Sequence, residues 1–187
     1  MKETKEGGGG EEAGHDQDHV ETTTVSAIMR RRAIYDDGAL AAIKIDVEGA
    51  ELKALQGALP YLRNLKRKKT LLPEITCEIG PLSRWLTQGQ TAEDGIGVLQ
   101  ALTGMGYRLF LLHDPWSDFN SVSVLSAIDN KQWTKKWIMK SIGHVLEIEK
   151  NFEDKLVNEV FSQKNDFNIW LSFRDLKEDE LHVAMRL

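Results

Sequence analysis

Acidic side chains near the middle of the chain have the types and spacing that chemistry needs. Asp46, Glu48 and Glu51 fall within six residues, around Gly49, and Glu78 ends the run Ile75-Thr76-Cys77-Glu78. His113 and Asp114 follow a third apolar run at residues 109–112. A carboxylate can accept a proton, bind a cation, or hydrogen-bond a ligand's hydroxyl or amine. The glycine lets the backbone turn tightly between them. Two readings fit Glu48 and Glu51. They contact a ligand, or they cap a following helix, whose N-terminal dipole favours negative charge. Asp46 ends an apolar run and is harder to explain as a cap. For His113, substrate contact competes with the ordinary polar start of a loop.

The remaining candidates are weaker. His15, Asp16, Asp18 and His19 could ligate a divalent metal if a helix presented them together, but their Gly-rich surroundings supply none. Cys77 lies between apolar neighbours and reads as buried and inert. As the single cysteine, it excludes a disulfide scaffold and Cys-based zinc sites. The clusters 30–32 (Arg-Arg-Arg) and 66–69 (Lys-Arg-Lys-Lys) could contact phosphate, but read better as solvated helix ends. Trp133, Trp137 and Trp170 read as core or interface rather than as a stacking platform.

These side chains need elements to position them. Ala41-Ala-Ile-Lys-Ile-Asp46 has the form of a buried parallel strand. Leu52, Leu55, Leu59 and Leu62 follow at the spacing of a helix with one buried face, which Pro60 should kink or restart. A second strand is expected at 74–79 and a helix at 91–103, with Thr91 and Asp94 as its capping pattern. A third strand is expected at 107–114, helices over 121–163, and a fourth strand at 166–173. The β-branched residues 20–25 predict a short strand leading into a helical stretch. Strands alternating with helices predict an α/β sheet of mostly parallel strands.

The chain's 187 residues suit one domain, and 41% hydrophobic residues suffice for a core. Residues 1–21 hold 2 of the 24 Lys/Arg and 7 of the 29 Asp/Glu, so the rest holds 22 of each. The net charge of -5 therefore lies wholly in the amino-terminal stretch. Residues 1–19, acidic and Gly-rich, read as a disordered tail, and residues 20–187 as the folded domain. A neutral domain carries no bias toward nucleic acid, and none is expected as a partner. Neither a membrane-spanning run nor a signal peptide is seen, so a cytoplasmic location is expected.

The segment Lys44-Ile45-Asp46-Val47-Glu48-Gly49-Ala50-Glu51, followed by Leu55, Gly57 and Ala58, resembles the central motif of the FkbM-type S-adenosylmethionine-dependent methyltransferases. That motif runs K-x-D-x-E-G-x-E, then an apolar position, then G-A. The stretch from Val20 to Ile28 looks like the strand preceding that motif. The stretch from Pro73 to Glu78 resembles the family's following strand, and Gly106-Tyr107 its late G-Y. Ser26 stands where the family usually shows an aspartate. The resemblance implies a Rossmann-like sheet, mostly parallel with an antiparallel final strand and helices on both faces. It also implies Asp46 and Glu48 as catalytic acids, Glu51, Glu78 and His113 as substrate contacts, and S-adenosylmethionine as cofactor. No glycine-rich loop follows a strand in this sequence. The chain accordingly resembles the carboxy-terminal part of that domain, with the cofactor-binding half missing.

The expected function is methyl transfer from S-adenosylmethionine to an oxygen of a small molecule or sugar. The alternatives are a catalytically silent fragment or interaction module, and, less favoured, a cation-dependent phosphotransfer or hydrolytic enzyme using Asp46 and Glu48. Without a first strand of the cofactor half, the strand 41–46 should present an open edge, which invites self-association or completion by a partner.

Overall fold

The computed structural model describes residues 22–33, 39–112, 138–142, 145–162 and 166–174. In chain order these form α1 (Val25–Arg31), β1 (Ala42–Ile45), α2 (Glu51–Lys68), β2 (Glu74–Ile79), α3 (Leu82–Thr87), α4 (Ala92–Gly104) and β3 (Arg108–Leu112). There follow β4 (Ile138–Ile142), β5 (Val145–Ile148), the short helix α5 (Glu153–Lys155) with a π-helical turn Leu156–Val160, and β6 (Phe167–Ser172). None of the described helices is long and apolar enough to cross a membrane. The amino-terminal tail, His113, Trp133 and Trp137 lie outside the described residues.

The six strands make one sheet in the order β1-β2-β6-β3-β5-β4. Only β1 and β2 pair in parallel. All other pairings are antiparallel, which corrects the expectation of a mostly parallel sheet. Two features cause the difference. The last strand, β6, inserts between β2 and β3 and runs against both, so β1, β2 and β3 share a direction although β2 and β3 never meet. The segment read as helical also supplies the antiparallel pair β4 and β5, with Ile142 opposite Val145. Only α5 and the π-helical turn are helical among its described residues.

Strand alternation gives the sheet two unlike faces. Ile75, Cys77 and Ile79 of β2 are buried, as are Leu109 and Leu111 of β3 and Phe167, Ile169 and Leu171 of β6. This face joins the leucines of α2 and α4 in one hydrophobic core. The opposite face carries the exposed Thr76 and Asn168. There Trp170 stacks on Phe110 and donates from Nε1 to Glu74 at 2.9 Å, in keeping with its reading as a packing residue. Among the described helices α1 packs on α2, α2 on α4, and α4 on α5.

Two local expectations change. Residues 22–24 are not strand; Thr24 instead N-caps α1, its hydroxyl accepting from the Ala27 amide. The helix α2 runs unbroken from Glu51 to Lys68 through Pro60. The Ser26 hydroxyl donates to the Gly57 carbonyl at 2.6 Å and accepts from the Tyr61 amide at 3.1 Å, serving the backbone beside the proline. The expected helix at 91–103 is present as α4, its capping box formed by Thr91 and Asp94.

Candidate functional site

The parallel pair β1 and β2 ends at one edge of the sheet, with Ile45 opposite Cys77. Asp46 and Glu78, the next residue of each strand's course, therefore emerge side by side. The turn that follows β1 is tight. Glu48 has φ +49° and Gly49 φ +103°, both left-handed, and the chain then enters α2. A side chain at Gly49 would place its Cβ 2.6 Å from Cδ of Arg84, so the glycine serves both the turn and a close approach.

Each acid has a distinct setting. Asp46, 40% exposed, accepts from Lys44 Nζ at 3.0 Å. Glu48, 82% exposed, lies 3.7 Å from Arg84 Nη1. Glu51 is only 2% exposed, and its Oε1 accepts from the Gly49 amide at 2.6 Å. This carboxylate thus fastens the turn at the start of α2, the capping role in its local form. Its Oε2 is buried with no hydrogen-bond partner among the described residues. Glu78 is half-buried, and its pKa is raised, first by burial and then by the negative charges of Asp46, Asp166, Glu48 and Glu51.

Two residues not singled out in the sequence complete the cluster. Arg84, in α3, forms a two-point contact with Asp166 at 3.1 and 3.2 Å. Its stem passes over both Gly49 and Gly80. Gly49 lies in the turn after β1 and Gly80 directly follows β2. Asp166 precedes β6 and reaches the site because that strand inserts beside β2. Cys77 sits beneath the cluster, 1% exposed, and burial together with Glu51, Glu78 and Asp46 pushes its thiol far above the usual range. Its burial is what its apolar neighbours indicated.

The structure therefore brings Asp46, Glu48, Glu51 and Glu78 together; His113 lies outside the described residues. Among the described residues no three His, Cys, Asp or Glu side chains are arranged to hold a metal ion. The glycine pairs do not supply a cofactor loop after a strand. Gly95 and Gly97 lie inside α4, where a Cβ on Gly95 would overlap the Trp85 ring, and Gly104 and Gly106 precede β3. The basic clusters fall where a helix dipole favours cations: Arg30 and Arg31 in the last turn of α1, and residues 66–68 in the last turn of α2.

Fold and site together define an α/β protein whose acids gather where two parallel strands end. The family model of the methyltransferase FkbM domain matches residues 3–109, more than half of the chain, and the chain belongs to that family. The match covers α1 through the start of β3 and includes every acid of the cluster except Asp166. No curated protein and no solved structure is significantly similar to the chain.

Proposed function

We propose that this chain acts in S-adenosylmethionine-dependent methyl transfer to a hydroxyl oxygen of a small molecule or sugar, with the acid cluster forming the acceptor side of the site. The observation that carries this reading is the convergence of Asp46 and Glu78 at the ends of β1 and β2, backed by Glu48 and Glu51. The common direction of β1, β2 and β3, with β6 antiparallel between, supports reading the sheet as part of a Rossmann-like methyltransferase domain.

The donor set fits the charge of a sulfonium, since several carboxylates meet here with Arg84 and Lys44 as the neighbouring cations. No described residue is assigned to the nucleoside. When bound, S-adenosylmethionine supplies a methyl carbon on a positively charged leaving group. The protein's share is then chiefly alignment. Asp46 accepts the acceptor's hydroxyl hydrogen bond and receives its proton as the oxygen forms its new bond. Lys44 holds that carboxylate in place from 3.0 Å. Glu78, whose carboxylate has no hydrogen-bonding partner among the described residues, orients a second hydroxyl. Glu51 and Arg84 fix the turn that carries Glu48.

A second reading, that of a silent interaction module, is favoured by one observation: none of the described strands is followed by a glycine-rich loop. Isothermal titration with S-adenosylmethionine separates the two. Micromolar binding supports the methyl-transfer reading; no heat up to millimolar cofactor supports the module.

A further inference from the structure

Asp166 reaches the acid site from far along the chain. It stands directly before β6 and outside the stretch that the family model matches. Because Phe167 pairs with Ile79, the residue before it is set beside Gly80, where β2 ends. A Cβ on Gly80 would lie 3.3 Å from Asp166 Oδ1. There the carboxylate meets both terminal nitrogens of Arg84, Oδ1 with Nη1 at 3.1 Å and Oδ2 with Nη2 at 3.2 Å. A guanidinium and a carboxylate matched at two points fix each other's plane as well as their distance. The contact of Arg84 with Glu48 is looser, a single approach of 3.7 Å to an exposed side chain.

That grip decides where the Arg84 stem runs. The stem leaves α3, whose first amide, Leu82, donates to the Phe161 carbonyl at 2.7 Å. Both ends of Arg84 are therefore tied to the carboxy-terminal part of the chain, the helix through Phe161 and the guanidinium through Asp166. Between those ends the stem crosses Gly49, with Cγ and Cδ 2.8 and 2.6 Å from where a Cβ would stand. Gly49 is buried in the left-handed turn, and its amide donates to Glu51 Oε1 at 2.6 Å. An arginine stem turns about several bonds, and ordering it costs rotamer freedom, so it keeps one course only where its head is fixed. A single loose ion pair at the surface is too weak to do that. Without the Asp166 carboxylate the guanidinium is left with Glu48, and the stem loses its course over the turn.

We infer that Asp166 is a positioning residue of the acid site: through its two-point contact it holds the Arg84 stem against Gly49 and so fixes the turn that carries Glu48. That this turn serves catalysis rests on the methyl-transfer reading; its placement by Asp166 does not. Amide NMR of the full chain reads the placement. Asp166→Asn should shift the Gly49 amide signal and speed its hydrogen exchange about ten-fold, as local loosening does, with the exchange of Leu99 and Leu102 in α4 unchanged. Arg84→Lys, which keeps the cation and loses the fork, should change Gly49 in the same way. In the double variant Asp166→Asn should add nothing, because it acts through Arg84. Methyl transfer gives a second readout. Asp166→Asn should lower kcat by about ten- to a hundred-fold, the cost of a misplaced site, while KM for S-adenosylmethionine stays near wild type. A Gly49 amide that keeps its wild-type position and exchange in both single variants, or additive effects in the double variant, would overturn the inference. So would a loss of protection that spreads equally over α4, the mark of a general stability role, or an active wild type whose kcat Asp166→Asn leaves unchanged. A wild type that transfers no methyl group while Gly49 responds as expected would uphold the placement and strike the methyl-transfer reading alone.

Discussion

Ser26 and Tyr61, 35 positions apart in sequence, are joined by a 3.1 Å hydrogen bond from the Tyr61 amide to the Ser26 hydroxyl. The same hydroxyl donates to Gly57. These are the two backbone groups that the helical i to i−4 rule would pair across the turn containing Pro60. A proline inside a helix removes one bond and crowds the carbonyl four residues back. The buried Ser26 side chain docks α1 onto that weakened turn, and Gly57 leaves room for it, since a Cβ there would lie 3.1 Å from Thr24 Cβ.

Ser26→Ala should therefore destabilise the protein by about 1–3 kcal/mol, the cost of leaving buried polar groups without their partner. The melting temperature should fall by several degrees while the far-ultraviolet spectrum keeps its helical signal. An unchanged melting temperature would remove Ser26 from the support of α2.

Gly49→Ala tests the turn. At φ +103° any L side chain is strained, and its Cβ would strike the stem of Arg84. The expected loss is of order 1–3 kcal/mol from backbone strain alone. Shortening the stem with Arg84→Ala in the same chain should recover the steric part and leave the strain. Equal stability of Gly49→Ala and wild type in urea would contradict this geometry.

The pH dependence follows from Glu78. Its folded-state pKa is raised above the ordinary 4.5, so its protonated form is the one the fold favours. The stability it contributes is complete below the ordinary value and is lost as pH rises through the raised one. Glu78→Gln, always neutral, should therefore melt higher than wild type at pH 7–8, and that advantage should vanish below about pH 4.5. Thermal melts across this range check it; an advantage that instead grew on acidification would show that Glu78 is stabilised as a carboxylate.

Much of this site was legible in the sequence because it is local. Asp46, Glu48, Gly49 and Glu51 belong to one strand-turn-helix, whose apolar spacing and glycine fix their relative placement. Glu78 followed from the second strand, which falls where its apolar run predicts. Arg84 and Asp166 were not legible, because their contact depends on β6 inserting beside β2, a long-range pairing that no local pattern encodes. The antiparallel strands β4 and β5 were hidden for another reason. Short apolar runs fit helix and strand periods alike, and Gly143 between the two runs was the sign of a break. Pro60 does not end α2, and the side chain that serves the turn around it, Ser26, lies on a different helix and leaves no local sign.

The central claim is that the acid cluster serves methyl transfer, and labelled methyl transfer tests it most directly. The full chain is incubated with methyl-labelled S-adenosylmethionine and a panel of sugars and small hydroxyl compounds, beside the Asp46→Asn variant. Wild type should form a product with the labelled methyl group bonded to an acceptor's oxygen, and Asp46→Asn should lower the rate by about ten- to ten-thousand-fold, the range for a positioned acid or base, at unchanged melting temperature. Transfer that persists at the wild-type rate in Asp46→Asn, or the absence of labelled product from every acceptor with wild type, would contradict that claim.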